Sequence, residues 1–394
     1  MKAHVLRSIF LAAALAAIGG AAFAADVGVD RLELLSIGSV DESTGALSVD
    51  THLFFDLSFK GGDKFGGLLR MELLSSDIEQ GLGLINTPAT ANNYLDKLNY
   101  LTSMGFHTAA VTAKRLFGMG LEASYFVGYL DTFCSGDDFV PLFGAAPFGT
   151  ILSGPMAFPN GIGNGKYPNV FYDGLDEVNG TGLRLGMAGG TTAGYFYAYQ
   201  DADIGDGAWS SVLRGLLDTG PLKLEAYAGA SYTPSTLYGL YRGGCLFDYA
   251  PGAVGEFFAQ VGLTRWDPAA ALNIGDFFFL FEPRINFNPG SLIVTVFYHP
   301  AWYYELATDE QNALDLNINL KIGDVSRSGS QGGLMALLSF RPQQATALSV
   351  DVTPYFSAIA SGMEWDLKLD LRVFPLPTFW YGIFQPFIGV TTSF

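Results

Sequence analysis

Two stretches of this chain alternate without a break. In 314–322, Leu314, Leu316, Ile318, Leu320 and Ile322 interleave with Asp315, Asn317, Asn319 and Lys321. In 363–373, Trp365, Leu367, Leu369, Leu371 and Val373 interleave with Glu364, Asp366, Lys368, Asp370 and Arg372. Strand side chains point alternately to opposite faces, so each stretch is a ribbon with one oily side and one wet side. Weaker versions recur along nearly the whole chain. The composition is 49% hydrophobic, with 49 glycines and 32 phenylalanines. Yet beyond the first two dozen residues no apolar run approaches the roughly 20 residues of a spanning helix. Such a chain builds either a large soluble β domain or a membrane barrel, because only helices and closed barrels satisfy their backbone groups in lipid.

The N-terminus reads as a targeting segment. Lys2 and Arg7 precede an apolar core at 9–18, and Ala22-Phe23-Ala24 is a small-residue cleavage site, so cleavage after Ala24 is expected. That leaves one domain, 25–394. The whole chain carries a net charge of −17. Without Lys2 and Arg7, 19 basic residues face 38 acidic ones, a net of −19. A nucleic-acid surface needs clustered Lys and Arg, so that function class is set aside. Export permits a disulfide between Cys134 and Cys245, but their spacing demands none, and two free thiols are the preferred reading.

Seventeen segments read clearly as strands: 31–38, 47–60, 64–74, 106–116, 119–133, 182–188, 193–201, 208–218, 222–233, 253–266, 274–286, 291–300, 312–323, 333–341, 345–357, 362–374 and the terminal segment. Barrels of this kind have even strand numbers, so 236–249 is counted as an eighteenth; merging two weak strands would give sixteen. Eighteen is favoured. Leu95, Leu98 and Leu101 suggest a short helix within 92–104. The longest irregular stretch, 135–180, is rich in Gly and Pro and holds Asp137, Asp138, Asp173, Asp176 and Glu177. Trp209, Trp266, Trp302, Trp365 and Trp380 lie mostly near strand ends, where aromatic rings suit the lipid headgroup zone.

The terminal segment 379–394 reads FWYGIFQPFIGVTTSF, with Ile388, Val390, Thr392 and Phe394 on one face and Gly389, Thr391 and Ser393 on the other. An alternating C-terminal strand ending in Phe resembles the assembly signal of Gram-negative outer-membrane barrel proteins, and within that class the chain resembles porins. The resemblance implies an outer-membrane location, recognition of the strand ending at Phe394 by the barrel-assembly machinery, and an up-and-down antiparallel barrel. In general porins the loop after the fifth strand folds inward and narrows the pore; 135–180 occupies that position. Trimerisation is the porin norm.

On this reading the wet faces line a lumen. The expected lining acids are Asp50, Asp56, Glu72, Glu122, Glu225, Asp276, Glu282, Asp315, Asp351, Glu364, Asp366 and Asp370. The expected lining bases are Arg70, Arg184, Arg214, Lys223, Arg284, Lys321, Lys368 and Arg372. Acids outnumber bases, which implies a mild cation preference. His52, between Asp50 and Asp56, is the best acid–base cluster, and a histidine on a polar wall accounts for it more simply. Asp366 and Asp370 suggest paired carboxylates, but Lys368 and Arg372 turn them into a charge ladder. No GxSxG or HExxH occurs. The expectation is a passive channel for small hydrophilic solutes, without enzyme activity, metal or cofactor. A first strand within about ten residues of the cleavage site leaves no room for an N-terminal plug. A structural or adhesin-type barrel without an open pore is the alternative.

Overall fold

A computed structural model describes residues 26–40, 47–74, 105–152, 174–205, 207–234, 239–299, 313–341 and 347–392. Eighteen strands follow one another: β1 (Asp26–Val40), β2 (Leu47–Gly61), β3 (Phe65–Leu74), β4 (Gly105–Leu116), β5 (Leu121–Phe133), β6 (Asp176–Gly189), β7 (Thr192–Asp201), β8 (Trp209–Asp218) and β9 (Leu222–Tyr232). The second half comprises β10 (Gly239–Tyr249), β11 (Gly255–Trp266), β12 (Phe278–Phe287), β13 (Gly290–His299), β14 (Ala313–Asp324), β15 (Ser330–Phe340), β16 (Leu348–Ala360), β17 (Met363–Phe374) and β18 (Phe384–Thr392). Every strand pairs antiparallel with its sequence neighbours, and β1 also pairs with β18, from Leu32↔Thr392 to Ile37↔Phe387. The sheet is therefore a closed barrel with no free edge. Two short helices punctuate it, α1 (Phe139–Phe143) after β5 and α2 (Val325–Ser328) after β14.

Within the segment 236–249, Gly239–Tyr249 does form a strand, β10, and completes the eighteen. Several boundaries move by a few residues, β1 for instance running from Asp26 and not from 31, and three of the shifts bear on the site or on the terminal strand. The stretch 274–276 is a 3₁₀ turn before β12. The residues Trp380–Ile383 form another before β18, so the terminal strand starts at Phe384. β6 begins at Asp176, inside what the sequence reads as loop. A polar Asp-Glu start looks like a turn, but both residues continue the ladder with Thr132 and Phe133 of β5, and Asp176 is paired with Arg242. The helix expected within 92–104 lies outside the described residues, as do Asp173 and Phe394.

The strand ends fall into two unlike rims. One carries turns of two to five residues, such as 190–191, 219–221 and 361–362. The other carries all the long connections, including 75–104 and 134–175. This matches the short periplasmic turns and longer outer loops of outer-membrane barrels. Trp209 and Trp266 mark the long-loop rim and Trp365 the short-turn rim.

The faces sort as a membrane wall requires. Leu213 is 64% exposed, while its strand neighbours Val212 and Arg214 are buried. Leu314, Ile318, Leu320 and Ile322 are exposed on one side of β14, with Asp315, Asn317 and Asn319 buried on the other. Apolar side chains in this number on the outside would be costly in water and are stable in lipid. Cys245 is exposed on the outer face of β10, Cys134 is buried inside, and both are free thiols.

Replacing outward Leu320 by Arg should cost about 2–4 kcal/mol of folding free energy in lipid vesicles. The inward neighbour change Lys321→Arg, at a half-exposed polar position, should cost markedly less, both read from urea titrations; equal costs would mean the two faces do not meet different solvents.

Candidate functional site: the infolded segment and the inner wall

After β5 the chain turns inward instead of outward. The backbone N–H of Cys134 donates to Glu225 Oε1 at 2.6 Å, and Gln260 Nε2 donates to the Cys134 carbonyl at 2.6 Å. At the other end of the described segment, Thr150 Oγ1 donates to Glu282 Oε2 at 2.7 Å and the Ile151 N–H reaches the same carboxylate. Glu225 lies on β9, Gln260 on β11 and Glu282 on β12, so 134–152 is held against the inner wall at both ends. An apolar seam completes the attachment. Phe139 and Phe148 stack edge-on at 5.2 Å, and Phe148 leans toward Phe258 of β11.

Four arginines of the inner wall each sit between two carboxylates. Arg184 pairs with Glu122 (3.1 Å) and Asp131 (3.0 Å). Arg214 pairs with Glu225 (2.7 Å) and with Asp138 of the infolded segment (2.5 Å). Arg242 pairs with Asp176 (3.2 Å) and Asp201 (2.6 Å). Arg284 pairs with Glu256 (2.6 Å) and Glu282 (2.5 Å), and also donates to the Gly149 carbonyl. Buried charges are tolerable only when paired and hydrogen-bonded, and here they are. Tyr195, Tyr197 and Tyr199 rise between them on β7; Tyr197 donates its hydroxyl to Asp131 at 2.8 Å. Room for this ladder comes from β6, where a Cβ on Gly182 would lie 2.3 Å from that of Tyr199, and one on Gly186 would lie 2.5 Å from the Tyr195 ring.

Of the residues singled out by sequence, Glu122, Glu225, Glu282, Arg184, Arg214 and Arg284 meet in this network, and Lys223 joins Asp248 nearby at 3.1 Å. On the other side of the barrel Arg70 pairs with Asp56 at 3.3 Å and Arg372 with Asp351 at 3.3 Å. Thr353 donates to Asp370. Asp315, Asp366 and Lys368 are buried on the inner face, while Lys321 and Glu364 are partly exposed there. The side chains of Asp50, His52 and Glu72 lie outside the described residues. Asp276 is not on the lumen wall: it closes the 3₁₀ turn, its carboxylate accepting from the Asn273 N–H at 2.8 Å. Asp176 and Glu177 stand on β6 and not in the infolded segment.

Arg31, Glu33, Asp131, Asp201, Arg242, Asp248 and Glu256 escaped the sequence reading. The signal existed for Arg242 and Asp248, which share a face with Leu240 and Leu246, but three glycines in β10 blurred the alternation. Among the described residues no group of three His, Cys, Asp or Glu side chains could hold a metal ion.

Asp137 stands apart. Lumen water reaches its carboxyl, yet wall and loop atoms crowd it on most sides. That desolvation, reinforced by Asp138, raises its pKa above the ordinary carboxylate value, while Arg70, Arg31 and Arg214 pull it back in part. Arg31 and Arg70 belong to β1 and β3, so Asp137 lies within electrostatic reach of that part of the wall.

A closed 18-stranded cylinder, oily outside and ionic inside, with a segment folded against its inner wall, leaves one architecture. This is the fold of a porin-like membrane β-barrel. No family model matches the chain, and no curated protein does. Solved structures do show likeness. Two engineered variants of the Rhodopseudomonas blastica porin align over 94% of this chain and 100% of theirs, at 11% and 10% identity with TM-scores of 0.49 and 0.46. OmpT, an outer-membrane protein of Vibrio cholerae, aligns over 94% of this chain and 97% of its own, at 11% identity with a TM-score of 0.39. These likenesses are loose, and the architecture rests on the chain's own geometry.

Glu282→Ala would strip an acceptor from Arg284, Thr150, Thr295 and the Ile151 N–H together. Removing one partner of a buried ion pair costs about 3–5 kcal/mol. The expected result is a loss of that order in urea titrations, with new protease cleavage within 134–152; unchanged stability and cleavage would show that the segment is not held there.

Proposed function

We propose that this porin-like barrel is a passive diffusion channel for small hydrophilic solutes, with a mild cation preference, narrowed by 134–152. A barrel of this strand number encloses water unless something fills it. The observation that carries the reading is the attachment of 134–152 at Cys134 and at Thr150, which holds a segment inside the barrel against its inner wall. Cation preference follows from the charge arithmetic of the inner wall. Each of Arg184, Arg214, Arg242 and Arg284 is outnumbered two to one by its carboxylates, and Asp137 adds a water-accessible acid. Charge lining a pore sets which ions enter it. Nothing in this scheme calls for catalysis. On the same reading the protein is delivered to the outer membrane by the segment 1–24, and β18 with Phe394 serves the barrel-assembly machinery.

One observation favours a second reading, a barrel whose surface loops do the work. The inward faces of β5–β13 carry a packed aromatic cluster, including Phe126, Phe133, Tyr197, Tyr199, Phe258, Phe278 and Phe297. It reaches beyond these strands to Ala110 of β4 and Met335 of β15, with Leu68 and Tyr355 packed against it. Liposome swelling separates the readings: sugar entry supports the channel, and a well-folded barrel that admits none supports the surface role.

In planar bilayers under a KCl gradient, the reversal potential should have the sign of cation preference at neutral pH. Asp137 takes up its proton at a higher pH than an ordinary carboxyl, so this preference should begin to fall above the usual carboxylate range as pH drops. Asp137→Asn should weaken the preference at neutral pH and flatten its pH dependence. Anion preference in the unaltered protein would refute the selectivity.

A further inference from the structure

The side of 134–152 that faces away from the wall has an unusual surface. Within α1, Phe139 is fully buried and Phe143, one turn on, packs against it with ring centroids 5.5 Å apart. Leu142 packs against the same cluster. A helix advances about 100° per residue, so Val140 and Pro141 turn to the opposite side. Both are exposed, Val140 at 39%, and beyond the helix Gly144, Ala146 and Pro147 are exposed as well. From Val140 to Pro147 the sequence is VPLFGAAP, without one hydrogen-bonding side chain. The exposed ionic group of this bank is Asp137, at its start.

The part of the wall on β1–β3 whose arginines act on Asp137 is different. Arg31 and Arg70 keep 39% and 40% of their side-chain surface in the lumen, each tied to an acid, Glu33 and Asp56. The Arg31 guanidinium lies over the Phe54 ring at 5.4 Å. A passing solute thus meets a carboxylate on one side, guanidinium groups on the other, and apolar surface alongside.

Resting on the channel reading above, we infer that this passage favours small zwitterions bearing an apolar side group, the chemistry of an aliphatic or aromatic amino acid. The ammonium turns to Asp137, the carboxylate to Arg31 and Arg70, and the side group slides along Val140 and Pro141. Water held on an apolar surface is displaced at a gain of roughly 25 cal/mol per Å². The few tens of Å² that Val140 and Pro141 offer correspond to about threefold in rate.

The test is proteoliposome swelling with leucine against asparagine, which has a similar size and the same head group, alongside KCl conductance of the same protein. Leucine is expected to enter about threefold faster. Val140→Thr keeps the side-chain shape and adds a hydroxyl; it should bring the ratio toward one, with KCl conductance of the same variant showing that the pore is still formed. Normal KCl conductance with leucine no faster than asparagine would overturn the inference and leave the channel standing. A leucine advantage that survives Val140→Thr together with Ala146→Ser would remove it from this segment and also overturn it. Absence of KCl conductance would bring down the channel reading itself, and the inference with it.

Discussion

Backbone hydrogen bonding in lipid is the constraint on which everything else in this molecule rests. A strand edge facing hydrocarbon leaves its N–H and C=O groups without partners, at several kcal/mol apiece. The β1–β18 ladder removes that edge, and with it the last unsatisfied row of the wall. Once the cylinder is closed, each strand has a fixed inside and outside, and the period-two alternation becomes a division between two solvents. Register matters for the same reason, since a slip of one residue would send Asp315 and Asn317 into the lipid and Leu316 and Ile318 into the bore.

Inside, the wall solves a second problem. A wide bore leaves inward side chains without neighbours, and charges there could remain fully hydrated. On the β5–β13 side the opposite happens: 134–152 folds against the wall and dries it, and the arginines answer by taking two carboxylates each. Because desolvated charges are stabilised only in company, attachment of the segment and pairing of the arginines depend on each other. Asp138 and Glu225 show it most directly, for both hold Arg214, and Glu225 also binds the backbone of Cys134. The aromatic packing on this side is the inner lining of that attachment. It differs from the outward oily face, which stays exposed all around the barrel.

Most of the architecture was legible in the chain. Strands such as β14 and β17 were plain because lipid demands bulk on one face and the lumen demands polarity on the other. β10 was harder: Gly239, Gly243 and Gly244 contribute no side chain to either face. Asp176 and Glu177 are hard to read for another reason: they are polar at successive positions and so show no alternation, although both pair with β5. The site was less legible than the wall. Alternation tells which residues face inward, and it picked out Glu225, Glu282 and Arg214. It cannot tell which distant strand an inward residue will touch through a folded-in segment. The partnerships of Glu225 with Cys134 and Glu282 with Thr150 span 91 and 132 residues of sequence.

An even number of strands returns the end of β18 to the rim where β1 starts. Topologically the wall is a ring with no privileged starting point. Were Asp26 and Thr392 linked and the chain reopened at 190–191, the same cylinder would result with its strands renumbered. What such a rearrangement would alter is the seam between the chain ends, which would pass from β1–β18 to β6–β7.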